Sequence, residues 1–149
     1  MPELPEVEHV VRALRPVVVG RRILAAELNL KRISPEISRP AFARQLKDLR
    51  INAVGRRGKY ILFELDSGAL LTTHLRMTGK FVALQTDEEM PPYAHVVFYL
   101  DDDRRLVFCD MDAATSPSVR PRIALTLPGQ PRNQPMIANT TSKMMTNAK

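Results

Sequence analysis

The 149-residue sequence contains a single cysteine and no apolar run long enough to cross a bilayer. One cysteine, Cys109, excludes an intramolecular disulfide and any multi-cysteine zinc site as the feature that stabilises the fold. The acidic, proline-containing N-terminus lacks the basic-then-apolar layout of a secretory signal. We therefore expect a cytoplasmic protein without a membrane partner, held together by core packing.

Acidic residues are fewer than basic ones, 16 against 22, which gives a formal net charge of +6. A basic excess favours a polyanionic partner such as nucleic acid. The excess is uneven, because residues 112–149 carry a net charge of +4 and residues 1–111 only +2. Composition alone is therefore weak support for DNA binding by the first 111 residues.

Two segments have the apolar spacing of amphipathic helices. The first follows Pro5, and Pro16 and Gly20 are expected to end it. The second covers residues 39–49, with Pro40 suited to a first helical turn. The apolar residues that share one face of the first helix are Val7, Val10, Val11 and Leu14.

Seven short segments between residues 22 and 111 are rich in β-forming residues and are separated by turn residues. They are RILAAELNL, INAVGRR, KYILFEL, ALLTTHL, KFVALQ, HVVFYL and RLVFCDM. Close spacing favours antiparallel pairing, and two helices are too few to cover a parallel sheet. The sequence thus predicts an α+β fold, a β-sandwich of short antiparallel strands flanked by two helices.

After Met111 the pattern changes to scattered prolines and polar runs with one short apolar stretch, IALTL. This composition is typical of disorder. We therefore expect one folded domain over residues 1–111 and a basic, largely disordered tail over residues 112–149.

The first eight residues, MPELPEVE, combine two prolines with three carboxylates. If Met1 is removed, Pro2 presents a secondary amine with a pKa near the α-amino range of about 7.7–8.0. Such an amine can attack an electrophilic carbon and form an iminium, and Glu3 beside it could transfer protons. The same acidic residues also suit the N-terminus of an ordinary helix, because they interact favourably with its dipole. Both interpretations fit the segment.

Four blocks together resemble the formamidopyrimidine-DNA glycosylase family, bacterial base-excision repair enzymes that remove oxidised purines. The blocks are MPELPEVE at the start, RRGKY at 56–60, HLRMTGKF at 74–81 and LVFCDM at 106–111. The leucine at position 4 resembles the residue found there in the family's oxidised-purine branch rather than the one found in its endonuclease VIII branch. The resemblance implies a bifunctional DNA glycosylase and abasic-site lyase that acts on double-stranded DNA containing oxidised bases or abasic sites.

The resemblance also implies roles for three catalytic residues. Pro2 matches the family's nucleophile, which attacks the sugar carbon bearing the damaged base and leaves an imine. Glu3 matches the acid that assists sugar opening, and Lys59 matches the lysine that contacts phosphate and promotes strand cleavage by elimination. Without the other blocks, Lys59 would be an exposed lysine at the end of a hairpin.

Four further residues are implied in DNA binding. His74 resembles a phosphate-contacting residue, and Met77 resembles the apolar wedge that fills the gap left by a flipped nucleotide. Arg57, next to Arg56, could position the DNA backbone. Tyr93 stands where the family has a histidine, and its hydroxyl can still donate to phosphate. Three of them have an ordinary structural alternative: core packing for Met77, a satisfied strand histidine for His74 and a solvated turn for Arg57.

Two departures from the family pattern besides Tyr93 concern function. A basic residue followed by Phe-Gly is usual after the DM pair, whereas residues 112–115 read Asp-Ala-Ala-Thr here. A single cysteine cannot form the family's four-cysteine zinc finger, so we expect no metal and no other cofactor. A truncated or frame-shifted gene would explain why the likeness stops after Met111.

Three hypotheses remain open at this point. The chain is a glycosylase and lyase, impaired by loss of the family's C-terminal domain, or a catalytically inactive fragment with weak DNA affinity. The third is a small basic nucleic-acid-binding protein whose tail makes the contacts. In each case we expect a monomer.

Overall fold

The computed structural model describes residues 4–115 and 121–128, in which eight strands form two four-stranded antiparallel sheets. Sheet 1 has the strand order β1-β6-β7-β5, and sheet 2 has the order β2-β3-β4-β8. The strands of sheet 1 are β1 Ile23–Leu28, β5 Lys80–Leu84, β6 Ala94–Leu100 and β7 Arg105–Cys109. Those of sheet 2 are β2 Ile51–Arg57, β3 Tyr60–Leu65, β4 Leu70–His74 and β8 Ile123–Thr126. The predicted α+β sandwich is confirmed, and each of the seven predicted segments contains a strand.

The main core contains residues from both sheets, and aromatic rings link them. Phe63 of sheet 2 contacts Phe81 of sheet 1 edge-on, with ring centroids 5.6 Å apart. Phe81 in turn contacts Phe108 of the same sheet at 5.4 Å. Burying a side chain of this size contributes about 1.5–3 kcal/mol, so core packing accounts for much of the stability.

Helix α1, Leu4–Val18, uses the predicted apolar face, and its buried residues are Val7, Val11, Leu14 and Val18. The prediction that Pro16 ends this helix is wrong, because the helix continues through it to Val18. Proline removes one backbone donor, and in the last turn this costs the helix only one hydrogen bond. The chain then leaves the helix at Gly20, which has a φ of +85°.

Helix α2 is shorter than predicted and covers Arg39–Leu46. The Ser38 side chain accepts a hydrogen bond from the backbone N–H of Ala41, and Pro40 lies in the first turn. The helix ends at the extended residue Lys47, and a single turn of 3-10 helix, Lys31–Ile33, precedes α2.

Beyond Met111 the structure differs from the expected tail. A short helix α3, Met111–Thr115, follows β7, and β8 pairs along β4 with Thr73 opposite Ile123. Ile123 is only 1% exposed. The apolar stretch IALTL folds because it covers the edge of β4, whose backbone groups would otherwise lack partners. The remainder of the predicted tail, residues 116–120 and 129–149, lies outside the described residues.

Candidate functional site

The candidate residues of the described chain gather at one end of the sandwich. In sheet 2, Tyr60 pairs with His74, so the β2–β3 and β4–β5 turns lie side by side. In sheet 1, Cys109 pairs with both Lys80 and Ala94, which brings the start of β5, the start of β6 and the end of β7 together. We call this region the site end; it comprises residues 57–60, 74–79, 91–95 and 109–115.

Arg57 and Lys59 lie at the β2–β3 turn, where the chain reverses at Gly58 with a φ of +59°. Both side chains are half-buried. The Nε of Arg57 is buried, and no described residue forms a hydrogen bond with it. The turn therefore holds two positive groups next to the end of β4.

Arg56, the preceding residue, points to helix α1. Its Nε lies 2.8 Å from a carboxylate oxygen of Glu8, whose other oxygen lies 3.2 Å from Arg12 Nε. Hydrogen bonds from Arg56 and Arg12 lower the pKa of Glu8 below its usual value. The ion pair between Arg56 and Glu8 fastens α1 to the hairpin that carries Lys59.

His74 ends β4 and is 6% exposed. Its Nδ1 accepts a hydrogen bond from the backbone N–H of Arg76 at 2.9 Å. The Tyr60 ring lies edge-on to the imidazole, with centroids 4.9 Å apart. Because Nδ1 is an acceptor, the neutral ring must carry its proton on Nε2, which leaves Nε2–H as a donor.

The electrostatic surroundings of His74 keep it neutral. Burial is the largest cause that lowers its pKa to about 4. The positive charges of Arg76, Lys59 and Arg122 act in the same direction. Several cations thus surround one neutral donor, which is an arrangement suited to an anion.

Met77 lies at the β4–β5 turn with 73% of its surface exposed. The backbone N–H of Gly79 donates to the carbonyl oxygen of Leu75 at 2.8 Å and closes the turn. A Cβ at position 79 would collide with that oxygen, so only glycine fits there. Arg76 has a φ of +57°, an uncommon conformation for a residue with a long side chain. The turn therefore presents an apolar side chain to solvent on a tightly constrained backbone.

Tyr93 lies just before β6 and is 44% exposed. Its φ of +60° is again left-handed, and its carbonyl oxygen accepts a hydrogen bond from the backbone N–H of Asp110 at 3.2 Å. Tyr93 shares the site end with Met77, but it directly precedes a strand of sheet 1, whereas Met77 lies in the turn that joins sheet 2 to sheet 1.

Sequence reasoning missed Asp110, although it lies in the block LVFCDM. Its Oδ1 accepts hydrogen bonds from Thr78 Oγ1 at 2.5 Å and from the backbone N–H of Ala113 at 3.2 Å. Its Oδ2 lies 3.0 Å from Arg122 Nε. An aspartate immediately before a short helix is a typical N-cap, but its partners Thr78 and Arg122 cannot be read from the sequence.

The two remaining predicted residues, Pro2 and Glu3, lie outside the described residues. Across residues 4–115 and 121–128, no three His, Cys, Asp or Glu side chains cluster in a way that could hold a metal ion. Within the same ranges, no helix has the length and apolar character needed to span a membrane.

Residues 1–115 match the family model described as formamidopyrimidine-DNA glycosylase N-terminal domain. The formamidopyrimidine-DNA glycosylase of Heliobacterium modesticaldum is 40% identical over 139 residues, which cover 91% of this chain and 50% of that protein. The protein of the same name from Chloroflexus aggregans is 44% identical over 111 residues, or 74% of this chain and 40% of that protein. The first alignment extends past Met111, where we expected the likeness to stop.

Two solved structures of the Lactococcus lactis Fpg superpose on this chain with a TM-score of 0.75 and 29% identity. One is a complex with DNA containing an abasic site and covers 87% of this chain and 45% of that chain. The other is a complex with DNA containing Fapy-dG and covers 86% and 45%. The chain thus spans about half the length of the relatives that it matches, or less.

Proposed function

Because this chain belongs to the formamidopyrimidine-DNA glycosylase family, whose N-terminal domain model it matches, we propose that it acts on double-stranded DNA containing oxidised purines or abasic sites. The proposed activities are base removal and abasic-site lyase cleavage. One observation supports this best: Lys59, His74 and the exposed Met77 lie together at the site end, among positive charges. The solved relatives that superpose on the chain hold abasic-site and Fapy-dG DNA.

In the proposed reaction, the amine of Pro2 forms a bond to C1′ of the damaged nucleotide after Met1 is removed. The bond from C1′ to the base breaks, and the base leaves with the electron pair and takes up a proton. Opening of the sugar breaks the bond between C1′ and the ring oxygen, with Glu3 assisting proton transfer, and leaves an iminium. Loss of a proton from C2′ then expels the 3′ phosphate, whose departing negative charge Lys59 stabilises.

The same arrangement suits phosphate binding. Lys59 supplies a positive charge, and His74 supplies a neutral Nε2–H donor at pH 7, because its pKa is about 4. Arg57 adds a second cation on the same turn. Phosphate contacts of this kind position the duplex without reading its sequence.

Met77 would restore part of the stacking lost when a nucleotide leaves the helix. Extruding a base costs a few kcal/mol, and an inserted apolar side chain offsets part of that cost. Its exposure of 73% gives it the reach this role needs. Tyr93 would donate its hydroxyl to a phosphate on the other side of the site end.

A second candidate function is that of an inactive domain with weak DNA affinity, and Asp112 favours it. The backbone N–H of Asp112 donates to Thr78 Oγ1 at 3.3 Å, so this residue lies beside the Met77 turn. A carboxylate at that place repels phosphate. Each phosphate contact that is lost also lowers affinity at physiological salt.

Borohydride trapping separates the two candidates. Purified protein, shown by intact mass to lack Met1, is incubated with an abasic or 8-oxoguanine duplex and borohydride, which reduces the imine to a stable adduct. We expect an adduct with the abasic duplex, and none from a matched protein that retains Met1. Absence of an adduct when Pro2 is the first residue would overturn the proposed activity in favour of the inactive domain.

A further inference from the structure

Asp110 is the residue at which the loops of the site end meet. Its backbone N–H donates to Tyr93, and its backbone oxygen lies 2.7 Å from His95 Nε2. Its carboxylate contacts Thr78 through one oxygen and Arg122 through the other. One residue is therefore bonded to the β4–β5 turn, to both sides of the start of β6 and to the segment that leads into β8.

The carboxylate is buried to an extent that makes these bonds necessary. Asp110 is 1% exposed, and Arg122 is 6% exposed. A buried charge without a partner is strongly unfavourable. Arg122 therefore balances the negative charge. The Thr78 hydroxyl and a backbone N–H of α3 donate the hydrogen bonds that the other carboxylate oxygen accepts.

Two of the bonded turns have a left-handed residue that is neither glycine nor asparagine. Arg76 and Tyr93 have φ angles of +57° and +60°. Such conformations cost energy and persist where the surroundings hold them. Asp110 contacts Thr78, two residues after Arg76, and Tyr93 itself, so it provides such a restraint for both turns.

We propose that Asp110 is a positioning residue that fixes the Met77 and Tyr93 turns for DNA, with Arg122 as its counter-charge. It follows that the segment 121–128 completes the site end, although it lies beyond the family match at residues 1–115. The proposal rests on the proposed function, because the position of these turns matters to activity only if they contact DNA.

Thr78→Val removes the hydroxyl that joins the Met77 turn to Asp110 and leaves the Asp110–Arg122 pair intact. Thr78→Ser keeps a hydroxyl donor and serves as the conservative variant. Thr86→Val is the matched control, because the Thr86 hydroxyl also donates a hydrogen bond within the protein, but to the backbone oxygen of Asp103 and away from Asp110. Two readouts apply to each protein: the methyl resonance of Met77, assigned with Met77→Leu, and affinity for a duplex with a tetrahydrofuran abasic analogue.

We expect Thr78→Val to shift and broaden the Met77 methyl resonance and to weaken binding about 3- to 10-fold, because a freed turn must be ordered on binding. Thr78→Ser should restore both readouts, and Thr86→Val should change neither. A Met77 resonance and an affinity that are unchanged in Thr78→Val would overturn the proposal. If the unaltered protein shows no affinity for the duplex, the proposed function fails, and the methyl spectrum alone still decides whether Asp110 fixes the turn.

Discussion

The chain reverses direction at both ends of the sandwich, but the residues that adopt left-handed conformations there differ in type. At the far end, which comprises residues 47–50, 66–68 and 101–104, the left-handed positions without glycine are Asp48 and Asp103, each with a φ of +68°. Aspartate tolerates this conformation well. At the site end the corresponding residues are Arg76 and Tyr93, for which it is costly. The far end thus uses residues that suit left-handed turns, whereas the site end places unsuitable residues in this conformation next to the candidate residues. Backbone strain of this kind is common at functional sites.

The contacts of individual cationic side chains also differ between the two ends. At the far end they bind within the protein: Arg104 pairs with Asp102 at 2.6 Å, and Arg50 donates to the Gly20 oxygen at 2.9 Å. At the site end, Lys59 forms no ion pair with any residue that the structure describes. Positive charge at the far end is used by the fold, and part of it at the site end remains available to a ligand.

The largest expected effect concerns the ion pairs of the two ends. Asp110→Asn leaves the Arg122 charge buried without its partner and should lower the free energy of unfolding by about 3–5 kcal/mol. Asp102→Asn at the far end removes a more exposed pair and should cost about 0–1 kcal/mol. Denaturant unfolding of both variants measures the difference, and equal losses would remove the distinction between the two pairs.

The next effect concerns the segment after Met111. Ile123→Ala deletes a side chain that is 1% exposed and should cost about 2–4 kcal/mol. Leu24→Ala, at a residue 45% exposed, should cost less than about 1 kcal/mol. Thermal or denaturant unfolding compares them. A loss for Ile123→Ala as small as that for Leu24→Ala would show that β8 is not part of the fold.

A smaller loss is expected when the Met77 turn is altered through its glycine. Gly79→Ala forces a Cβ against the Leu75 oxygen and should cost about 1–3 kcal/mol through the backbone shift. Gly55→Ala is the matched control, because nothing lies within 4 Å of the added atom. Unfolding curves for the pair measure the difference, and equal stability would mean that the turn yields without cost.

Acidification should produce the smallest effect on stability, through His74. Its pKa is about 4 when folded and 6.5 as a free group, so the unfolded chain binds more protons between these values. Between pH 6.5 and pH 4 the imidazole takes up a proton in the unfolded chain but stays neutral in the folded one, which favours unfolding. The folded state therefore keeps its full stability above pH 6.5 and loses stability as pH falls toward 4. By linkage we expect a loss of about 1–2 kcal/mol between pH 6.5 and pH 5.

His74→Gln should flatten this dependence, whereas His9→Gln should not, because His9 is exposed on α1. Unfolding at several pH values measures both variants. Equal pH dependence in His74→Gln and the unaltered protein would place the responsible group elsewhere.

Local sequence patterns predicted the elements whose apolar residues face a single core. The Val7, Val11 and Leu14 spacing predicted the buried face of α1, and short β-rich runs predicted seven strands. β8 was missed because a four-residue edge strand has little signal of its own and depends on β4 to pair with it. The end of α1 was misplaced because Pro16 interrupts only a last-turn hydrogen bond.

The candidate site was predictable only in part. RRGKY and HLRMTGKF pointed to Lys59, His74 and Met77, and the strand register then brought these residues together. Asp110 was not found, because its importance comes from Thr78, 32 residues earlier, and Arg122, 12 residues later. Such contacts depend on tertiary packing, which periodicity does not report.

The most direct test of the account is the salt dependence of binding to a tetrahydrofuran-containing duplex, measured for Lys59→Ala and for Arg21→Ala, whose partner Asp101 lies at the far end. We predict that Lys59→Ala weakens binding and reduces the slope of log K against log salt by about 1, because one phosphate contact is lost. Arg21→Ala, which removes an ion pair with Asp101, should leave both quantities unchanged. An unchanged slope in Lys59→Ala, or an equal loss in Arg21→Ala, would contradict the claim that the site end is the surface that binds DNA.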